Sequence, residues 1–182
     1  MTGEIMRVAA AIFLATAVHG QSAHAEVVSS GPNGFHVRQS VQIVIPQDAA
    51  FSTFGQVSSW WNPEHTYGGK AENLSLSLQP GGCFCERFPT GGGIEHMRVT
   101  YVDPGKRLIL TGSLGPLLYE ATTGVLDMKF DRIAGGTKVT MDYKVSGFAN
   151  GGADKLAPAV DAVLAEQFKR YREYARKPRP QN

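Results

Sequence analysis

At 182 residues, 42% of them hydrophobic and 19% charged, the chain is long enough for one ordinary domain with a real core and too apolar to be disordered. Eighteen basic against sixteen acidic residues leave a formal charge of +2, which supplies no global field to draw in nucleic acid. Twenty-one glycines without a collagen period and two cysteines exclude fibrous and disulfide-stapled miniproteins, and the length excludes repeat arrays, large multidomain enzymes and polytopic membrane proteins.

The N-terminal segment reads as an address. Met1–Arg7 carries one glutamate and one arginine, Val8–Ala17 (VAAAIFLATA) is an apolar run, and Ala23-His24-Ala25 has the small-x-small pattern that signal peptidase reads. The run is too short to span a bilayer, which takes about 20 residues. The expectation is a signal peptide over 1–25, cleaved after Ala25, and a single mature domain over 26–182. That implies a periplasmic or secreted protein with no stable membrane insertion after cleavage.

Phe35, Val37, Val41, Ile43 and Ile45 share one parity, with polar residues between them, so a half-buried strand ends at Pro46. Asp48 then caps a helix carrying Phe51, Phe54, Val57 and Trp61, which Asn62-Pro63 breaks. From Leu74 the period is two, with Leu74, Leu76 and Leu78 on one face. Strands follow over 83–88, 94–102, 107–113, 125–132 and 137–147, joined by glycine-rich or Asp-Pro-Gly turns. The stretch 114–124 contains Gly115-Pro116 and reads as a long loop. Leu156, Val160, Val163, Leu164, Phe168 and Tyr171 then make one helical stripe over about 152–176, with Pro158 tolerated near its start. Lys169–Asn182 holds six basic residues and one acidic, and 175–182 is expected to fray as a basic tail that solubilises the helix end.

One long helix against an antiparallel sheet gives an α+β fold, with either a cavity between them or a core filled by side chains such as Phe84, Met97, Met128 and Met141. This order, with WWNPEHTY after the first strand and PGGCFCE and EHMRVTYVDPGKRL at the central hairpin, resembles the SRPBCC (START-like, birch-pollen-allergen-like) superfamily of the polyketide cyclase/dehydrase type over about residues 33–174. The resemblance implies a helix-grip, a curved seven-stranded antiparallel sheet around the C-terminal helix, and a deep apolar cavity. It implies no particular chemistry, because the same fold serves carriers, cyclases and hydrolases.

At the central hairpin, pairing Phe88 with Ile94 sets Glu86 opposite His96 and Phe84 opposite Arg98 on one face, with Arg87–Glu95 and Cys85–Met97 on the other. If the first face looks into a cavity, Glu86 and His96 form a general-base pair and Arg98 an anion stabiliser, a candidate catalytic set for a carbonyl substrate. If it faces solvent, the same residues are idle cross-strand ion pairs. Cys83 and Cys85 share a face and are buried thiols, a short bridge at a bulge, or metal or reactive thiols. No Cys-x-x-Cys or His-Glu-x-x-His arrangement supports a metal, so no metal and no cofactor is expected.

Trp60, Trp61, His65 and Tyr67 gather polar-tipped aromatics that grip a ligand at a cavity mouth or plug the core. Leu117 and Tyr119 belong to a candidate lid over 114–119. With Phe84, Leu156, Val160 and Leu164 these complete the candidate ligand-binding set. The glycine runs form no phosphate cradle, and no Gly-x-Ser-x-Gly elbow is present. The leading expectation is an exported binder or carrier of a small apolar or amphipathic molecule, monomeric or dimeric. An enzyme acting on an apolar carbonyl compound and a filled-core interaction module stand as alternatives.

Overall fold

The structure is a computed structural model and describes residues 24–177. All but the last two residues of the expected signal segment, and the tail beyond Lys177, lie outside the described residues.

The chain runs β1 (His24–Gly31), β2 (Gly34–Ile43), α1 (Gln47–Phe54), α2 (Val57–Trp60), 3-10 turns at Pro63–His65 and Ala71–Asn73, β3 (Leu74–Leu76), β4 (Cys83–Arg87), β5 (Gly93–Asp103) and β6 (Arg107–Gly112). A 3-10 turn at Gly115–Tyr119, β7 (Ala121–Ile133), β8 (Gly136–Phe148), a further 3-10 turn at Ala153–Lys155 and α3 (Ala157–Ala175) complete it. The strands form one sheet in the order β1-β2-β8-β7-β6-β5-β4-β3, every pair antiparallel. The helical segment between β2 and β3 carries the chain across to the far edge of the sheet, from which the strands meander back to pair with β2.

This α+β, helix-grip-like arrangement differs from expectation in two respects. The sheet has eight strands and not seven, because β1 adds to the edge of β2 through a turn at Pro32-Asn33. Its residues Glu26, Val27, Val28, Ser29 and Ser30 lie on an edge with little to bury, so they carry no alternating pattern that would have revealed a strand. The sheet is also open, with β1 and β3 as separate edges, and is not strongly curled around the helix.

The strand periodicity is the periodicity of burial. Phe35, Val37, Val41 and Ile43 point under α3, and so does Gln39, whose amide donates to the backbone carbonyl (3.2 Å) and carboxylate (2.5 Å) of Asp161. A buried amide is tolerated there because its donor is satisfied. The β7–β8 hairpin closes on Ala134-Gly135, and Gly135 sits at φ 80°, where a side chain would be strained.

The C-terminal half of α3 closes one end of the molecule. Phe168 and Tyr171 are buried against Phe54, Trp60 and each other, and the Tyr171 hydroxyl donates to the Ala50 carbonyl at 2.8 Å. Each such buried aromatic contributes on the order of 2–3 kcal/mol from apolar burial. The outer sheet face is solvated. There Arg107 grips Asp127 (2.9 and 2.7 Å), and Arg38 and His36 both contact Asp142 at 2.7 Å. Among the described residues no helix is long and apolar enough to cross a membrane.

Candidate functional site

The N-terminal half of α3 rests on β1 and β2 but stands off the β3–β5 side of the sheet. Between them lies a cavity of about 420 Å³, within the usual range for small-molecule sites. Leu156, Ala159, Val160, Val163 and Leu164 form its helix wall, and Leu74, Phe84 and His96 line it from β3, β4 and β5. Trp61 and Glu64 to Tyr67 border one side of the mouth, and Leu114 to Leu117 with Tyr119 the other.

The candidate ligand-binding residues Trp61, His65, Tyr67, Phe84, Leu117, Tyr119, Leu156, Val160 and Leu164 therefore border a single space. Trp60 does not. It is buried on the far side of Trp61, its indole N–H donating to the Phe54 carbonyl at 3.3 Å and its ring against Phe54 and Tyr171. Two adjacent tryptophans at a helix end point in different directions, and sequence spacing alone left open which one turns inward.

The segment bearing Trp61 and His65 is stitched to α3. The Gln167 amide oxygen accepts from Asn62 N (2.9 Å), its nitrogen lies 2.8 Å from His65 Nδ1, and Asn62 donates to Glu166 (2.6 Å). The opposite rim is pinned by two tyrosines. Tyr67 donates its hydroxyl to Gly115 O at 2.8 Å, and the buried Tyr143 hydroxyl accepts from Leu114 N at 3.2 Å. Burial raises both phenols to about 12, Tyr67 with help from Tyr119 and Glu86, so both keep their protons at neutral pH.

The central hairpin brings Glu86 and His96 together by a route different from the expected register. Phe84 pairs with Met97, but Cys85 pairs with Glu95 and Glu86 with Ile94, so His96 is the extra residue of a β-bulge. The bulge turns both His96 and Met97 inward, where ordinary alternation would put one of them outside. Glu86 is 1% exposed and His96 6%, with His96 Nε2 3.5 Å from Glu86 Oε2.

The Glu86 carboxylate is held by backbone. Its Oε1 accepts from Gly68 N at 2.5 Å and its Oε2 from Tyr67 N at 2.9 Å. Gly68 permits this close approach, since a Cβ there would sit 2.9 Å from Oε1. Burial lowers the pKa of His96 below 6.5 even though Glu86 pulls the other way, so its imidazole is neutral at pH 7.

The bulge sends Arg98 to the opposite face. Arg98 pairs with Cys83, its side chain is 53% exposed, and it forms an ion pair with Glu95 while donating to Gly81 O at 3.1 Å. The expected trio of Glu86, His96 and Arg98 is thus split, with its anion stabiliser outside the cavity. The expected Arg87–Glu95 and Cys85–Met97 pairings are likewise replaced by Arg87–Gly93 and Cys85–Glu95.

Cys83 and Cys85 form a disulfide on that outer face, with Cα atoms 5.3 Å apart, closer than two residues of a fully extended strand. They are half-buried cystine and not core thiols. Together with Glu95 they are the one group of potential metal ligands among the described residues, but a disulfide offers no thiolate to a metal.

Leu114, Gly115 and Pro116 fall within the expected lid over 114–119, whereas the sequence pattern does not single out Glu64, Thr66, Leu74, Ala159 and Val163 as cavity-lining. Val163 stands on the predicted α3 stripe, and Leu74 on the predicted face of β3. The rest carry no periodic signal.

No protein-family model matches the chain, and no curated protein does. Solved structures do. An uncharacterised protein from Rhizobium leguminosarum aligns at 16% identity over 85% of this chain and 97% of its own, TM-score 0.57. CalU16 from Micromonospora echinospora aligns at 10% identity over 88% of both chains, TM-score 0.59. The di-domain ARO/CYC protein BexL of the BE-7585A biosynthetic pathway aligns at 17% identity over 82% of this chain and 52% of its own, TM-score 0.54. At these identities the likeness is one of fold alone: these structures share the antiparallel sheet and long C-terminal helix described above.

Proposed function

We propose that this protein is a binder or carrier of a small apolar or amphipathic molecule, held between the sheet and the N-terminal half of α3. One observation carries the reading: a cavity of about 420 Å³ whose walls are almost wholly aliphatic and aromatic. The same open space counts against a filled-core interaction module, although Met97, Met128 and Met141 are buried in the packed half of the molecule.

The enzyme alternative is favoured by the burial of Glu86 beside His96 at the cavity wall. It is weakened by Arg98, which leaves that wall without a cationic partner for a developing anion. An oxidising location outside the cytoplasm belongs to the same proposal, supported by the Cys83–Cys85 bridge and the apolar N-terminal run.

The test is capture. The protein is incubated with a total lipid extract of its host, repurified, and denatured to release bound molecules for identification. Stoichiometric recovery from the wild type, lost in Val160→Trp, whose indole occupies the cavity, supports the reading. Equal recovery from both would place binding elsewhere and defeat it.

A further inference from the structure

Of the polar side chains lining the cavity, His96 alone is buried, while Glu64, His65, Thr66, Tyr67 and Tyr119 lie half-buried or exposed around the mouth. Its Nε2 is sealed from solvent and makes no hydrogen bond, yet it lies 3.5 Å from Glu86 Oε2. A neutral imidazole carries one ring proton. Placed on Nε2, that proton faces a carboxylate oxygen already fixed by Tyr67 N and Gly68 N. Placed on Nδ1, it would leave a nitrogen lone pair pressed against a carboxylate. The first arrangement is favoured. His96 lines the cavity and Nε2 is its sealed ring nitrogen, so Nδ1 is the one left to serve that space, as a pure hydrogen-bond acceptor on an otherwise apolar wall.

The surroundings sharpen that polarity. Among the described residues no lysine or arginine lines the cavity. Two of the donors near the mouth are already committed, the Tyr67 hydroxyl to Gly115 O and the Trp61 indole N–H to His65 O. The carboxylates are Glu86 behind His96 and Glu64 at the mouth. An anionic group at Nδ1 would meet an acceptor backed by a carboxylate, with no lysine or arginine on the wall to offset its desolvation.

We propose that the cavity selects a neutral, largely apolar molecule bearing a hydrogen-bond-donating hydroxyl, which binds Nδ1 of His96, and that it discriminates against the corresponding carboxylate. This rests on the ligand-binding reading above and names the ligand class that site takes.

Four probes with one apolar body test it on the full chain at neutral pH: naphthalene, 2-methoxynaphthalene, 2-naphthol and 2-naphthoate. The expected order places 2-naphthol about tenfold tighter than the methyl ether, the weight of one net hydrogen bond, and 2-naphthoate weakest. In His96→Leu the naphthol advantage disappears while the ether still binds; His96→Asn, which keeps an acceptor, restores part of it. Nitrogen-15 shifts of the His96 ring in the wild type, independent of any variant, should report a proton on Nε2 and a bare Nδ1.

Naphthoate binding as tightly as naphthol, a naphthol advantage that survives in His96→Leu, or a proton on Nδ1 would each overturn the inference. Binding of naphthalene and the ether with no gain for naphthol defeats the inference alone. Failure of all four to bind defeats the ligand-binding reading with it.

Discussion

Replacing Glu86 tests whether the wall behind the cavity is organised by its carboxylate. Glu86 is 1% exposed and accepts two backbone N–H bonds, from Gly68 at 2.5 Å and Tyr67 at 2.9 Å. A hydrogen bond to a charged group is worth roughly 1.5–3 kcal/mol, and a buried donor left unpaired costs roughly 1–3 kcal/mol. Glu86→Leu removes both acceptors at once, so the expected loss is about 3–5 kcal/mol, a large part of the roughly 5–15 kcal/mol that holds a domain folded. Glu86→Gln keeps one acceptor oxygen and turns an amide toward the other N–H, so about half of that loss is expected. Urea unfolding with unchanged m-value gives the difference, and amide exchange at Tyr67 and Gly68 locates it: Leu should release both amides and Gln one. The opposing effect is desolvation of the carboxylate itself, which can make a buried charge a net burden. A neutral or stabilising Glu86→Leu, or amides that stay protected, would refute the reasoning.

The two tryptophans should separate. Trp60→Ala opens the packed core and should cost about 3–5 kcal/mol with little change in ligand affinity per folded molecule, whereas Trp61→Ala should weaken binding at a smaller stability cost; paired unfolding and binding titrations check this. His96 gives a pH signature. Its folded pKa lies below 6.5 through burial, against the pull of Glu86, so as pH falls below 6.5 the unfolded chain takes up a proton that the folded one refuses. Stability should therefore decline as pH falls from 6.5 to the folded value, with no contribution above that window, and His96→Asn should remove this component from the pH dependence of the urea midpoint. The Cys83–Cys85 bridge closes a very short loop, so Cys83→Ser with Cys85→Ser should cost only about 1.5 kcal/mol by loop entropy, measured by denaturation under non-reducing conditions.

Periodicity made the frame readable. Alternation in β2 and the stripe of α3 follow from one buried face each, and a misassigned residue there would put a charge in the core. The hairpin was readable only in part. Parity within β4 places Phe84 and Glu86 together, but the bulge at His96 breaks parity in β5 and reverses Arg98. A bulge is decided by how the backbones of both strands pair, and no residue pattern in β5 announces it. The cavity itself is a space that side chains fail to fill, so the sequence supplied its walls without its volume. Edge strand β1 buries too little to leave a signature.

The central claim is that this cavity holds an apolar molecule in the living cell, and native mass spectrometry of the protein isolated from its own host addresses it directly. The account predicts a stoichiometric adduct that dissociates on denaturation and proves to be a neutral, hydroxyl-bearing apolar compound. A clean unliganded mass that persists after exposure to the host's lipid extract would contradict it.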